Sequence, residues 1–353
     1  MTVTEAVIDL AAFDANVRHL AATVAPAELM VVVKADAYGH GALETALRAA
    51  RSGATRLGTL DIPTALAIRA AGVGPDVTIF AWQYPPNQDF RAAVAARIDL
   101  GVSRVDELRA MAAVADGVPA RLHLKIDTGL QRNGATTAEW PVLVAEARRL
   151  QAEGSVRAHG IWTHIAEASD DEDSLSIMRF RDAIAVADQL GVHFAVRHLA
   201  ASSAGFRRED ARFDMVRMGG HCWGIPSFDG VTPLQMGLRP VMTLVTEVDA
   251  VRHTADGAVE VELPLGYADG IPPAAAGLVH VAVGGRQYPV VSVAVDSMVL
   301  RADAPVRVGD RATLFGTGDD GEQTVRQWGD LIGTLGDEIV TRIAPSVPRR
   351  YVG

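Results

Sequence analysis

Of the 33 basic residues in this 353-residue sequence, only Lys34 and Lys125 are lysines; the other 31 are arginines. Arginine stays protonated and is a poor nucleophile, whereas lysine can shed its proton and condense with a carbonyl. Two lysines that persist against such a bias point to chemistry that arginine cannot do. Lys34 lies in VVVKADAYGHG, at the end of the apolar run LMVVVKA (29–35). Lys125 and Asp127 end LHLKID (122–127), with Gly129 and Arg132 just beyond. His164 closes AHGIWTHI (158–165), Ser202 and Ser203 follow AVRHLA (195–200), and Arg217, Gly219 and Gly220 end MVRMGG. A lysine among arginines has a depressed pKa and is the better nucleophile for it. Hydroxyls and glycine N–H groups behind the last strands of an α/β barrel are its usual phosphate cradle. An amine together with a phosphate site suggests pyridoxal 5′-phosphate (PLP), which needs both. His159 and His164 are five apart on one strand and are expected on opposite faces, so no metal site is expected here.

The elements that must position these residues follow from periodicity. Eight β-like runs (29–35, 57–60, 77–80, 98–102, 122–127, 158–165, 195–200 and 215–219) alternate with Ala-rich helical segments such as 104–115, 138–152 and 174–190. Continuous apolar strands between helices indicate a parallel sheet buried on both faces. Eight of them fit an α/β fold, a (β/α)8 barrel, and an open doubly wound sheet is the runner-up. After Leu234 helical periodicity fades, and Val/Thr runs are separated by turns such as TADG, VGG and GTGDDG. That pattern reads as an all-β domain. The expected division is an N-terminal strand within 1–10 that pairs with the C-terminal domain, a barrel over 11–233, and a β domain over 234–353.

Net charge is −10 and the isoelectric point about 5.5, which argues against a nucleic-acid partner. One cysteine, Cys222, excludes an internal disulfide and a cysteine zinc site. The start MTVTEAVIDL has no signal-peptide pattern, and no apolar stretch has the length of a membrane span. The expected setting is the cytoplasm.

VVVKADAYGHG, KIDTGLQRNG, THIAEAS, VRMGGHCWG, LPLGYADG and the tail VPRRYVG occur in that order over nearly the whole chain. Together they resemble the alanine racemase family, PLP enzymes with an α/β barrel followed by a β domain. The resemblance implies that Lys34 forms the Schiff base with the cofactor and then acts as one acid/base at the substrate Cα. It implies Tyr267 as the acid/base on the opposite face, supplied by the neighbouring subunit of a homodimer. Tyr38, Ser202 and Gly219 match phosphate contacts, and Arg217 matches the arginine at the pyridine nitrogen. Arg132 matches the residue at the phenolic oxygen, Lys125 a lysine that is often carbamylated and supports it, and His164 the histidine that orients the tyrosine or the cofactor arginine. Two bases make chemical sense, because inverting a stereocentre by proton transfer needs one on each face.

Departures from the family cluster at the substrate entrance. VVSVAVDSM (290–298) stands where the family has Gly-Arg-x-x-Met-Asp-Gln, so Val295 replaces Met while Asp296 is kept. GTLGDE places Asp337 where the family has a Tyr that reaches the phosphate, and Gly220 and His221 replace a small apolar pair. Replacing Tyr by Asp is expected to open the entrance, shared by Arg132, Val295, Asp296 and Asp337. Racemisation of alanine is the first reading. The alternatives are a racemase of a larger or polar amino acid, another PLP reaction (decarboxylation, aldol cleavage, transamination) and an inert PLP-binding protein.

Overall fold

A computed structural model describes residues 4–255 and 257–353. The chain forms two compact units, one from residues 20–34 and 42–219, the other from the N-terminal residues through His19, 35–41 and everything from Gly220 onward.

The first unit carries eight parallel strands: β2 (Glu28–Val32), β3 (Arg56–Gly58), β4 (Thr78–Ala81), β5 (Asp99–Val102), β6 (Ala120–Lys125), β7 (Val156–Trp162), β8 (Val196–His198) and β9 (Met215–Met218). They lie side by side in sequence order from β2 to β8, and β9 returns to pair with β2. That return is the topology of a barrel, and it displaces the open doubly wound alternative. At the remaining seam, Asp214 N–H donates to Arg197 C=O and Arg217 N–H to Ala200 C=O, both at 3.1 Å. All four residues of β5 are buried, as a strand covered on both faces must be. Met30, Phe80, Trp162, Val196 and Met215 form one apolar cluster at its centre.

The second unit is built on a nine-stranded sheet. Its strands are β1 (Glu5–Asp9), β10 (Met242–Glu247), β11 (Ala250–His253), β12 (Val259–Leu263), β13 (His280–Val283), β14 (Arg286–Val293), β15 (Met298–Ala302), β16 (Arg311–Phe315) and β17 (Arg349–Val352), in the order β11-β12-β15-β14-β13-β16-β10-β1-β17. β1 pairs antiparallel with β10 and parallel with β17.

The segment after Lys34 is the most strained backbone of this unit. Ala35, Asp36, Ala37 and Tyr38 all adopt left-handed conformations, with φ from 52 to 54° and ψ from 42 to 51°. For residues with a Cβ this costs about 1–2 kcal/mol each, so surrounding contacts must over-determine it. Gly41 N–H donates to Asp36 C=O at 2.9 Å, and Arg349 Nε donates to Gly39 C=O at 3.0 Å. Nδ1 of His40 lies 2.9 Å from both the Ala37 and Tyr38 carbonyls, so it carries the proton and donates to them. The imidazole stacks on Trp223 at 4.8 Å, and Trp223 stacks on Phe13 at 4.8 Å. Burial pushes His40 down to about 4, so it is neutral at pH 7.

His40→Phe keeps the ring against Trp223 and removes the donor to both carbonyls. The variant is expected to lose about 1–3 kcal/mol of unfolding free energy, read from urea denaturation. An unchanged midpoint would show that the remaining contacts hold the left-handed turn without His40.

Candidate active site

In the barrel unit the site is organised by Arg217, which is 5% exposed on β9. Its Nη1 lies 3.0 Å from His198 Nδ1, and its Nη2 donates to the carbonyls of Thr163 (2.9 Å) and Leu199 (3.0 Å) and lies 3.3 Å from His164 Nδ1. A guanidinium has donors and no acceptor. Both imidazoles therefore accept through Nδ1 and carry their single proton on Nε2. Burial, followed by Arg217, Arg132, Lys125 and Lys34, lowers His164 to about 2. Positive charge on the neighbouring side chains thus disfavours protonation of this imidazole. Burial lowers Arg217 itself to about 9, opposed by the Glu167 carboxylate, so it remains a cation at pH 7.

Lys125, 2% exposed at the end of β6, donates from Nζ to Asn133 Oδ1. Its ammonium sits 4.2 Å above the Trp162 ring, which the Arg217 guanidinium also faces at 5.4 Å. Burial, then Arg217 and Arg132, brings the Lys125 amine down to about 7. Asp127 turns to its own loop and accepts from the N–H groups of Gly129 (2.9 Å) and Gln131 (3.1 Å), which shapes the segment carrying exposed Arg132. Gly219 N–H meets Ser202 Oγ at 3.2 Å. Arg217, Lys125, Arg132, His164 and Lys34 therefore influence one another within this unit, and Ser202 meets Gly219.

The expected separation of His159 and His164 does not hold. β6 pairs Leu122 with Ala158 but His123 with Gly160, so His159 is an extra residue in β7. Such a bulge resets the alternation of side chains. His159 lies 5.6 Å from the His123 ring, His123 bonds His198, and His198 and His164 both contact Arg217. Both histidines thus reach one connected polar cluster. Asp99, His123, His198, Trp162 and Asn133 were not singled out from sequence. The available signal was polar: His123 and His198 each interrupt an apolar strand run.

The other unit holds Tyr38, Tyr267, Val295, Asp296 and Asp337. Burial, then the Asp337 carboxylate, raises the Tyr38 phenol far above its ordinary value, so it stays protonated. Asp337 lies in the first turn of the helix Gly336–Arg342, and a Cβ placed at Gly220 would lie 2.6 Å from its Oδ1. The missing side chain at Gly220 thus makes the room that Asp337 fills. Tyr267, 50% exposed, sits in the turn Tyr267–Asp269. Its N–H donates to Ala294 C=O at 2.9 Å and that of Ala268 to Val295 C=O at 2.8 Å, which brings Tyr267 beside Val295 and Asp296. A Cβ at Gly266 would lie 2.4 Å from the Val295 oxygen, and one at Gly270 (φ 101°) 2.1 Å from the Arg342 oxygen. The helix Gly336–Arg342 approaches Gly39 through the Val340 oxygen in the same way, 2.4 Å from a Cβ there. One short helix therefore braces both the left-handed turn and the GYADG turn.

Comparison with known proteins identifies the family. Residues 8–226 match the family described as alanine racemase, N-terminal domain, and residues 241–351 match alanine racemase, C-terminal domain. The chain is 42% identical over 369 residues to alanine racemase of Frankia casuarinae, covering 98% of this chain and 96% of the relative. It is 44% identical over 371 residues to that of Streptomyces coelicolor, covering 98% and 95%. Among solved structures, alanine racemase from the D-cycloserine producer Streptomyces lavendulae superposes with a TM-score of 0.95 at 38% identity, over 100% of this chain and 98% of that one. The Streptomyces coelicolor structure gives 0.95 at 41% identity, over 99% and 98%. With an eight-stranded barrel, a following β domain and both family domains matched in order, the chain belongs to the alanine racemase family.

Proposed function

We propose that this chain is a PLP-dependent alanine racemase that moves the Cα proton between two bases, Lys34 and Tyr267. The observation that supports this most directly is the cationic barrel site: Arg217 is buried, fully charged and met by neutral acceptors, with Lys34, Lys125 and Arg132 close by. Such a donor set fits an anionic, phosphate-bearing group with an aldehyde for the lysine. When bound, PLP supplies the electron sink that lets Cα give up its proton.

Arg217 would face the ring nitrogen, Arg132 the phenolic oxygen, and Tyr38, Ser202 and Gly219 the phosphate. Because its guanidinium stays charged at pH 7, Arg217 would leave that ring nitrogen unprotonated. A weaker sink favours return of the proton over side reactions. Lys34 holds or accepts the proton on one face of Cα and Tyr267 on the other. To act as a base Tyr267 must give up its phenolic proton, and a hydrogen-bond donor nearby stabilises the phenolate that results. The Nε2–H of neutral His164 is suited to that, being fixed as a donor by Arg217. Val295, Asp296 and Asp337 would line the approach for a small amino acid.

Incubation of the PLP-loaded protein with L-alanine and a panel of other amino acids in D2O is expected to exchange the Cα–H of alanine and yield D-alanine on a chiral column. Lys34→Ala and Tyr267→Phe are each expected to lower turnover by about a thousandfold or more. Exchange confined to another amino acid would move the assignment to that substrate. Loss of carboxylate or side chain would move it to another PLP reaction, and no change in any sample to an inert binding protein.

We further infer a homodimer in which the half-exposed Tyr267 serves the site of a second copy. If so, unfolding and refolding Lys34→Ala and Tyr267→Phe together restores one intact site per mixed dimer, about a quarter of wild-type activity. If each chain completes its own site, mixing restores nothing.

Carbamylation of Lys125 requires its neutral amine to attack CO2, forming an N–C bond and releasing a proton. An amine titrating at about 7 is charged below that pH and neutral above it. The carbamate population is therefore expected to rise between pH 6 and pH 8. In 13C-bicarbonate a carbamate resonance should appear over that range and be absent in Lys125→Met. A resonance missing at pH 8 would leave Lys125 as a free amine held by Asn133.

A further inference from the structure

Below Arg217 the barrel holds a line of polar side chains for which the mechanism above has no use. His198 is fully buried on β8, His123 is 1% exposed on β6, and Asp99 is 1% exposed at the start of β5. His198 Nε2 lies 2.8 Å from His123 Nδ1, and His123 Nε2 lies 3.2 Å from Asp99 Oδ2. Asp99 is anchored from outside by Arg121, whose Nε is 2.9 Å from Oδ1 and whose Nη2 donates to Oδ2 at 3.1 Å. Burial pushes the Asp99 carboxyl up, but His123 and Arg121 outweigh it and hold the pKa below its ordinary value. A Cβ at Gly160 would come within 2.4 Å of His123 Nδ1, so the glycine on β7 leaves the space the imidazole occupies.

We propose that Asp99, His123 and His198 form a one-directional hydrogen-bond relay that positions Arg217 from the far side of the barrel. Each proton is assigned by the group before it. Arg217 can only donate, so His198 Nδ1 accepts and His198 Nε2 carries the proton. That proton is donated to His123 Nδ1, so His123 carries its own on Nε2. The last donor needs an acceptor without a proton, and ionised Asp99 is one. A protonated His123 is incompatible with this order, because its Nδ1–H would face the Nε2–H of His198. Removing the acceptor reverses the logic: His123 relieves its stranded Nε2–H by moving the proton to Nδ1, His198 follows, and an Nδ1–H then confronts Arg217. Asp99, His123 and His198 are thus positioning residues that act through Arg217.

The relay also decides against a second use of the same atoms. Nitrogen and oxygen ligand atoms of Asp99, His123 and His159 lie within 4.8 Å of one another, close enough to suggest a divalent metal. A metal on His123 would take the Nε2 lone pair and expel its proton. His198 would then have to accept through both nitrogens at once, which a neutral imidazole cannot do. The Arg217–His198 bond and a metal at His123 exclude each other.

The consequence for turnover rests on the proposed racemase reading; the tautomers do not. The test is long-range 1H–15N correlation of the histidine rings in 15N-histidine-labelled, PLP-loaded protein, with alanine kinetics alongside. His123 and His198 are expected to be neutral Nε2–H tautomers. Asp99→Asn still offers an oxygen and should keep both tautomers with most of kcat. Asp99→Leu should move His198 toward Nδ1–H and lower kcat by about tenfold or more, with KM changed less than about twofold. Should Asp99→Leu not fold, His123→Asn serves instead: its amide donates to Asp99 and accepts from His198, so His198 should remain Nε2–H. The proposal is overturned by an Nδ1–H or doubly protonated ring in the wild type, by Asp99→Leu leaving tautomers and kcat unchanged, by His123→Asn shifting His198 to Nδ1–H, or by Zn2+ shifting the His123 Nε2 resonance. Absent turnover with the tautomers in place would sink the racemase reading and leave the relay standing.

Discussion

A guanidinium buried at the centre of a barrel must find acceptors in every direction it points, and Arg217 finds them on two neighbouring loops and two imidazoles. Leaving such a charge unmatched costs several kcal/mol, so its surroundings are not free to vary independently. The Thr163 and Leu199 carbonyls have to turn inward just after β7 and β8. His164 and His198 have to be neutral and accept through Nδ1. No carboxylate takes one of these four positions; Glu167 acts on Arg217 through its field. The guanidinium therefore keeps a charge that a directly bonded aspartate would have cancelled.

The same cationic field explains the neighbouring lysine. Lys125 is buried, yet a carboxylate stands two residues away in the sequence. Asp127 instead receives two backbone N–H groups of its own loop. The lysine is left with an amide oxygen and an aromatic face, both weaker than an ion pair in holding a proton. Its depressed pKa follows from how the chain spends Asp127. An arginine in this place would stay charged whatever the environment did, which gives the survival of a lysine here a physical meaning beyond composition.

The eight barrel strands, the all-β character after Leu234 and the position of Lys34, Lys125, His164, Ser202 and Arg217 at or just beyond strand ends were legible in the sequence. Each depends on local periodicity or on the rule that barrel function sits where strands end. The left-handed turn was not legible. Ala35, Asp36, Ala37 and Tyr38 contain no glycine to announce positive φ, and the turn is held by the adjacent His40 and, from far along the chain, by Arg349. The alternation in β7 also misled, since one inserted residue at His159 reverses the parity of all that follows. His123 and Asp99 acquire their meaning through neighbours more than twenty residues away. Sequence spacing carries no trace of that, beyond the oddity of a histidine inside LHLK.

Asp337 shows why an altered entrance cannot be read one residue at a time. Taken alone, an aspartate in place of a tyrosine shortens the side chain and opens space. Its partner in the fold is Gly220, where even a methyl group would collide with the carboxylate. The two changes are complementary: one removes volume from the wall and the other moves into it. The negative charge then lies beside Tyr38, whose phenol is held protonated partly by that charge. A protonated Tyr38 is a hydrogen-bond donor, which is the form an anionic ligand requires. The replacement therefore adds repulsion toward an anion at this spot while Tyr38 stays in its donor form. The pair therefore alters the charge at this position as well as its volume.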